Sequence, residues 1–168
     1  MIKVNKFLLA IIIVFTLLLL PAIVTQTVNA QQSDIKYEDV NPQSGFKYSF
    51  KRLQEKIMLL FAFSETSKLD VYQNLLNRRL SELKFVVDKK DISNIQTVSQ
   101  RYAQTAGEVT EFIQNSSSSN KQSTKKLLES HLLIIKQFQN NFDNTTAEWR
   151  FLKHDEDYLR IYISNLSK

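Results

Sequence analysis

The sequence predicts an all-α fold, with about five amphipathic helices packed as a bundle or as antiparallel helical hairpins. Three observations carry this. Apolar residues recur at three- and four-residue spacing along nearly everything after residue 44. The 168 residues include only two glycines and two prolines, too few for the tight turns of a sheet protein. There is no cysteine, so a chain outside the cytoplasm has packing alone to hold it, which suits helices better than a small loop-rich scaffold.

Residues 1–30 read as a secretory signal. Lys3 and Lys6 precede an unbroken apolar run from Phe7 to Leu20, Pro21 interrupts it, and Val28 and Ala30 fill the −3 and −1 positions of a cleavage site. The rival reading is an uncleaved N-terminal anchor, because Phe7 to Val24 is near the lower length limit of a spanning helix and the two lysines precede it. Either reading makes the remainder extracytoplasmic, secreted or anchored to the membrane. Residues 31–43 are polar and aperiodic, an extended lead-in. Residues 44–168 form the helical domain.

Ser44 is placed to cap the first helix, and Pro42 disfavours helix at Asn41. Phe46, Phe50, Leu53, Ile57, Leu60 and Phe61 share one stripe, and the helix ends near Phe63. The phenylalanines and Tyr48 are large apolar bodies expected to anchor this helix on the second. Lys47, Lys51, Arg52 and Lys56 lie beside the stripe as a possible membrane or partner surface. Ser64 or Ser67 caps the second helix, whose stripe is Leu69, Tyr72, Leu76, Leu80, Leu83 and Val87. Ser93 with Gln96 has capping-box spacing for the third, with Ile95, Val98, Tyr102, Ala106, Val109 and Ile113 inward. Ala103, Ala106 and Gly107 allow either a close helix approach or a break at Gly107.

Residues 115–120 are asparagine and serine, which favour loops over helix interiors, so a flexible connection is expected there. The fourth helix is expected from about Ser123 to Phe142 on Leu128, His131, Ile135, Phe138 and Phe142. Thr145 with Glu148 is a third capping box. The last helix carries Phe151 or Leu152, Tyr158 or Leu159, Tyr162 and Leu166. One arrangement is a three-helix bundle of helices three to five with the first hairpin docked on it.

From Pro42 to Leu83 the chain resembles a helical extracytoplasmic domain family of unknown function found in exported bacterial and archaeal proteins. The residues that carry the likeness are Pro42 and Ser44, the aromatic pair Phe46 and Tyr48, Lys51-Arg52, Glu55, Phe61-Ala62-Phe63 and Arg79-Leu80-Ser81-Glu82. The chain departs in having Asn41 where an apolar residue usually precedes the proline, and in lacking a proline after Phe63. The family has no assigned activity, so the resemblance implies an outward-facing helical domain and nothing about what it does.

Composition removes several chemistries. Without cysteine there is no thiol nucleophile and no thiolate metal site. Of 22 basic residues, two fall in the signal, leaving 20 against 17 acidic ones. That balance is too mild and too mixed for nucleic acid. No serine lies in a glycine-flanked elbow, and neither glycine can form a phosphate loop. His131 reads as a core histidine bonded to a neighbour. His154 and Asp157 share a face and are weak metal candidates, but no further ligands accompany them. Lys153 with Asp157 and Glu156 with Arg160 are spaced as surface ion pairs. Carboxylate pairs occur only on polar faces, and a single sequence leaves buried acids open because it does not see tertiary contacts. Asn115, Asn144 and Asn165 begin N-glycosylation acceptor triplets.

The resulting expectation is a non-enzymatic, cofactor-free domain acting by binding or scaffolding in the cell envelope, with a protein partner. The alternatives are a peripheral membrane protein using its basic-aromatic first helix, and a weak metal-binding or enzymatic role at His154 and Asp157.

Overall fold

The computed structural model describes residues 41–42 and 45–167. The signal or anchor, its cleavage position Ala30, the Ser44 cap and most of the lead-in lie outside the described residues. The elements are five helices and, among the described residues, no strand: α1 (Gly45–Phe61), α2 (Glu65–Asp88), α3 (Ile92–Ile113), α4 (Ser118–Gln139) and α5 (Ala147–Asn165). None of them is long and apolar enough to cross a membrane.

Caps set the boundaries. The Ser64 hydroxyl accepts from the Ser67 amide at 3.0 Å and begins α2, as one of the two expected serines. α2 stops in a Schellman turn. The Lys90 amide donates to Val87 O at 3.1 Å and the Asp91 amide to Val86 O at 2.9 Å, with Lys90 itself at φ 51°. Three expected starts move. Asp91, not Ser93, is the N-cap of α3, and its carboxylate takes the Ser93 hydroxyl at 2.8 Å. Ser117 caps α4, so half of the serine stretch is helix; serines that compete with a helix interior satisfy its open first turn equally well. Thr146, one residue past Thr145, caps α5 through the Trp149 amide. Thr145 instead bonds Asp143.

The core is formed by four helices rather than by a three-helix bundle with a docked hairpin. α2 and α3 pack as one hairpin, α4 and α5 as another, and α3 lies along α5. The predicted stripes face inward: Leu76, Leu80 and Leu83 of α2, Tyr102, Val109 and Ile113 of α3, Leu128 and Ile135 of α4, and Leu152 and Leu159 of α5 are fully buried. α3 runs unbroken through Gly107. There the Tyr162 hydroxyl of α5 comes within 2.9 Å of where a β-carbon would be, so the glycine serves a close approach rather than a break.

α1 stands apart. It packs along α2 and meets α3 at Arg101, with Ala62 buried at its end. Of the aromatics expected to anchor it, Tyr48 reaches Glu82 of α2, but the phenylalanines do not turn inward. Phe46 is 86 % exposed, Phe50 62 %, Leu60 75 % and Phe63 87 %. Periodicity identifies residues that share a face; it does not say which way the face points.

Candidate interaction surface

The polar side of α1, not its apolar side, touches the bundle. Tyr48 and Glu55 are seven residues apart, two helical turns, so they share the face opposite Phe50 and Leu53. Beneath them lies residues 78–83 of α2, buried throughout. Arg78 Nε lies 3.1 Å from Glu55 Oε1 and 3.5 Å from Glu82 Oε1. Arg79 bridges the two carboxylates, donating to Glu82 Oε1 at 2.6 Å and, through its other nitrogen, to Glu55. The Tyr48 hydroxyl donates to Glu82 Oε2 at 3.2 Å and accepts from Arg101 of α3 at 2.8 Å. Arg101 also lies over the Tyr48 ring, 5.3 Å from its centre.

Two guanidinium groups thus face two carboxylates in a cluster from which water is largely excluded; Glu82 is fully buried. Burial alone opposes the charge on Arg79, but Glu82 and Glu55 outweigh it and the group is held more firmly protonated. Burial, then the Glu82 charge, pushes the Tyr48 phenol up, so it stays a neutral donor. The buried acids that the sequence left open are present: Glu55 and Glu82 here, and Asp155 and Glu156 on α5. Beside the cluster a cleft of about 120 Å³ opens between α1, α2 and α3, lined by Arg52, Lys56, Arg79 and Arg101 against Glu55 and Glu108.

The outward side of α1 is a run of exposed apolar residues, Phe46, Phe50, Leu53, Leu60 and Phe61, continued by Phe63, whose ring meets Phe61 edge-on at 6.3 Å. A contiguous run of exposed large apolar residues on one helix face, rather than single scattered ones, marks an interaction surface. Of the four expected basic residues, Lys56 is exposed and Lys51 and Arg52 are half-buried. Lys47 lies in α1. The helix carries a single acidic residue, Glu55, already paired.

The other candidates are not brought together. His154 and Asp157 are exposed on α5, and Asp157 binds Lys153 at 2.6 Å. No group of three or more potential ligands occurs among the described residues. Glu156 is not on a solvated face. It is buried and takes Gln139 at 3.0 Å and both Arg160 Nε and Nη2, at 3.0 and 2.7 Å. Burial opposes its charge, yet these bonds hold its pKa down to about 2. His131 is fully buried between Tyr102 and Asn77. Asn115 and Asn144 are exposed in the links before α4 and α5, while Asn165 is half-buried at the end of α5.

Sequence reasoning did not find the charged cluster. Its one local sign is the spacing of Arg78 and Arg79 to Glu82, four and three residues, which any solvated helix face can show. The decisive partner, Glu55, lies 24 residues from Arg79.

No curated protein and no solved structure matches the chain. Residues 39–146 match a family described only as a domain of unknown function, DUF5667, a span that takes in α1 to α4 and ends on the N-cap of α5. With well over half its length matched, the chain belongs to the DUF5667 family.

Proposed function

We propose that this is an exported, non-catalytic interaction domain of the cell envelope, and that it works through the outward face of α1. The observation that carries this is the inversion of α1: ions are buried beneath it and phenylalanines stand in water. A helix that only needed to fold would be expected to turn Phe46 and Phe50 inward, since burying each is worth about 1.5–3 kcal/mol. Leaving them out is a cost that a partner covering them would recover. Export is supported by the basic, apolar and small segments of residues 1–30 in their order.

The test is photo-crosslinking in the cells that make the protein. A photoreactive phenylalanine analogue replaces Phe50 in one variant and Lys126, exposed on α4, in another. The expected result is a discrete adduct from position 50 and none from position 126. Equal, diffuse labelling from both would refute the reading. Export is checked on the same material: the mature chain is expected to begin at Gln31 or to remain in the membrane fraction, and intact chain in the cytosol would overturn it.

A further inference from the structure

We propose that the occupant of the α1 face is an anionic lipid surface, on which the domain rests with α1 in the plane of the interface. This deepens the function proposed above and depends on it.

Charge selects among the possible occupants. The apolar positions 46, 50, 53, 57 and 60 step by four, three, four and three residues, a spacing that also suits a coiled-coil seam with a second copy. The positions flanking that seam do not suit one. They hold Lys47, Ser49, Gln54, Lys56 and Phe61, two cations and no acid, so two copies would have no interhelical ion pair to set their partner or register. The only carboxylate of α1, Glu55, is committed to Arg78 and Arg79 on the opposite side. What complements this helix is apolar in its middle and negative at its rim. Phenylalanine and leucine on one face with lysine at the borders is the composition of helices that lie in a bilayer interface. The ion cluster beneath α1 gives the helix a fixed polar back, so the whole apolar side can enter the acyl boundary while the bundle stays in water.

The absence of cysteine makes the test clean. The full chain carries a polarity-sensitive dye on Leu60→Cys, or on Lys126→Cys as the remote control. It is mixed with vesicles of phosphatidylcholine alone and of phosphatidylcholine with phosphatidylglycerol. Residues 7–20 can bring the chain to either vesicle, so the readout is whether position 60 itself enters lipid, read as a blue shift and as quenching by spin-labelled acyl chains. The expected result is entry on anionic vesicles, loss with rising salt, and roughly tenfold weaker partitioning in Lys56→Glu. The control stays in water.

A position-60 dye that stays in water on anionic vesicles overturns the inference. So does equal entry on neutral ones, or concentration-dependent self-quenching without vesicles, which would indicate a second copy. If the dye stays in water while position 50 still crosslinks to a protein in cells, the lipid inference fails and the interaction domain stands. If neither occurs, both fail.

Discussion

The Tyr102 hydroxyl of α3 lies 3.1 Å from His131 Nδ1 of α4, in the middle of the bundle. The other ring nitrogen lies 2.9 Å from Asn77 Oδ1, which can only accept. Nε2 therefore carries the proton, and Nδ1 accepts from the tyrosine. A second proton has no place in this arrangement, and burial lowers the His131 pKa to about 3.

That geometry fixes an acid limb of stability. A histidine depressed from 6.5 to about 3 contributes stability that is complete above its unfolded pKa and lost as pH falls toward 3. Glu156, held down to about 2, adds a second loss below its ordinary 4.5. Asp155 acts with the opposite sign. Burial raises its carboxyl well above 3.8, so the fold favours the protonated form and loses stability as pH climbs through the raised value. Urea titrations followed by the single tryptophan, Trp149, are expected to show His131→Leu flattening the limb between pH 6 and 4. That variant also loses about 1–3 kcal/mol at pH 7, through the unpaired Asn77 and Tyr102 groups. Asp155→Asn is expected to gain stability increasingly as pH rises.

Removing one member of the buried ion cluster leaves a charge without compensation. Glu82→Ala is expected to cost about 3–5 kcal/mol in urea unfolding, since two guanidinium groups then share one carboxylate. Glu55→Ala has a different signature. Hydrogen exchange is expected to rise along α1 while α2 to α5 stay protected, because Glu55 belongs to the arm and not to the core.

Lys90 holds a left-handed conformation at φ 51°, where a β-carbon is penalised by about 1–2 kcal/mol. Lys90→Gly is expected to raise stability by about 1 kcal/mol without altering the α2–α3 turn. A lower urea midpoint would show that the lysine side chain contributes more than its backbone costs.

The face of α1 and the core are expected to answer substitution differently. Phe46→Ser with Phe50→Ser changes unfolding free energy by no more than about 0.5 kcal/mol per site, as for other exposed positions. Leu80→Ala, fully buried, costs about 2–5 kcal/mol. The double serine variant is also expected to lose the crosslink partner or lipid contact described above.

The family span ends at residue 146, but the core does not. Leu152, Leu159 and Leu166 of α5 are buried against the other helices. A chain ending at Thr146 is expected to keep helical circular dichroism but lose cooperative urea unfolding. A sharp transition in that truncated chain would show that α5 is dispensable.

Much of the fold was legible because α2 to α5 obey one rule: residues at helical spacing that are apolar are also inside. Leu69 to Val87 and Ile95 to Ile113 fall inward as their period says. α1 has an equally clear period and breaks the rule. Its orientation is decided by Glu55 against Arg78 and Arg79, a contact between helices that no local pattern encodes. Helix starts were less legible for a related reason. At α3, α4 and α5 more than one residue able to cap stands near the start, and spacing alone does not choose among them. For the candidate surface, composition pointed to Lys51, Arg52 and Lys56 beside aromatics, but only the structure separates a buried stripe from a bare one.

Because α1 is mounted by ions and faced with hydrocarbon, the ordinary ranking of mutational harm is reversed along it. A saturation scan scored by folding alone would pass serine at Phe46 and reject alanine at Glu55, the opposite order to any hydrophobicity scale. Scored by attachment to whatever covers the helix, the same library would show Phe46 as intolerant. The difference between the two maps would outline the contact footprint residue by residue, without the occupant having been identified.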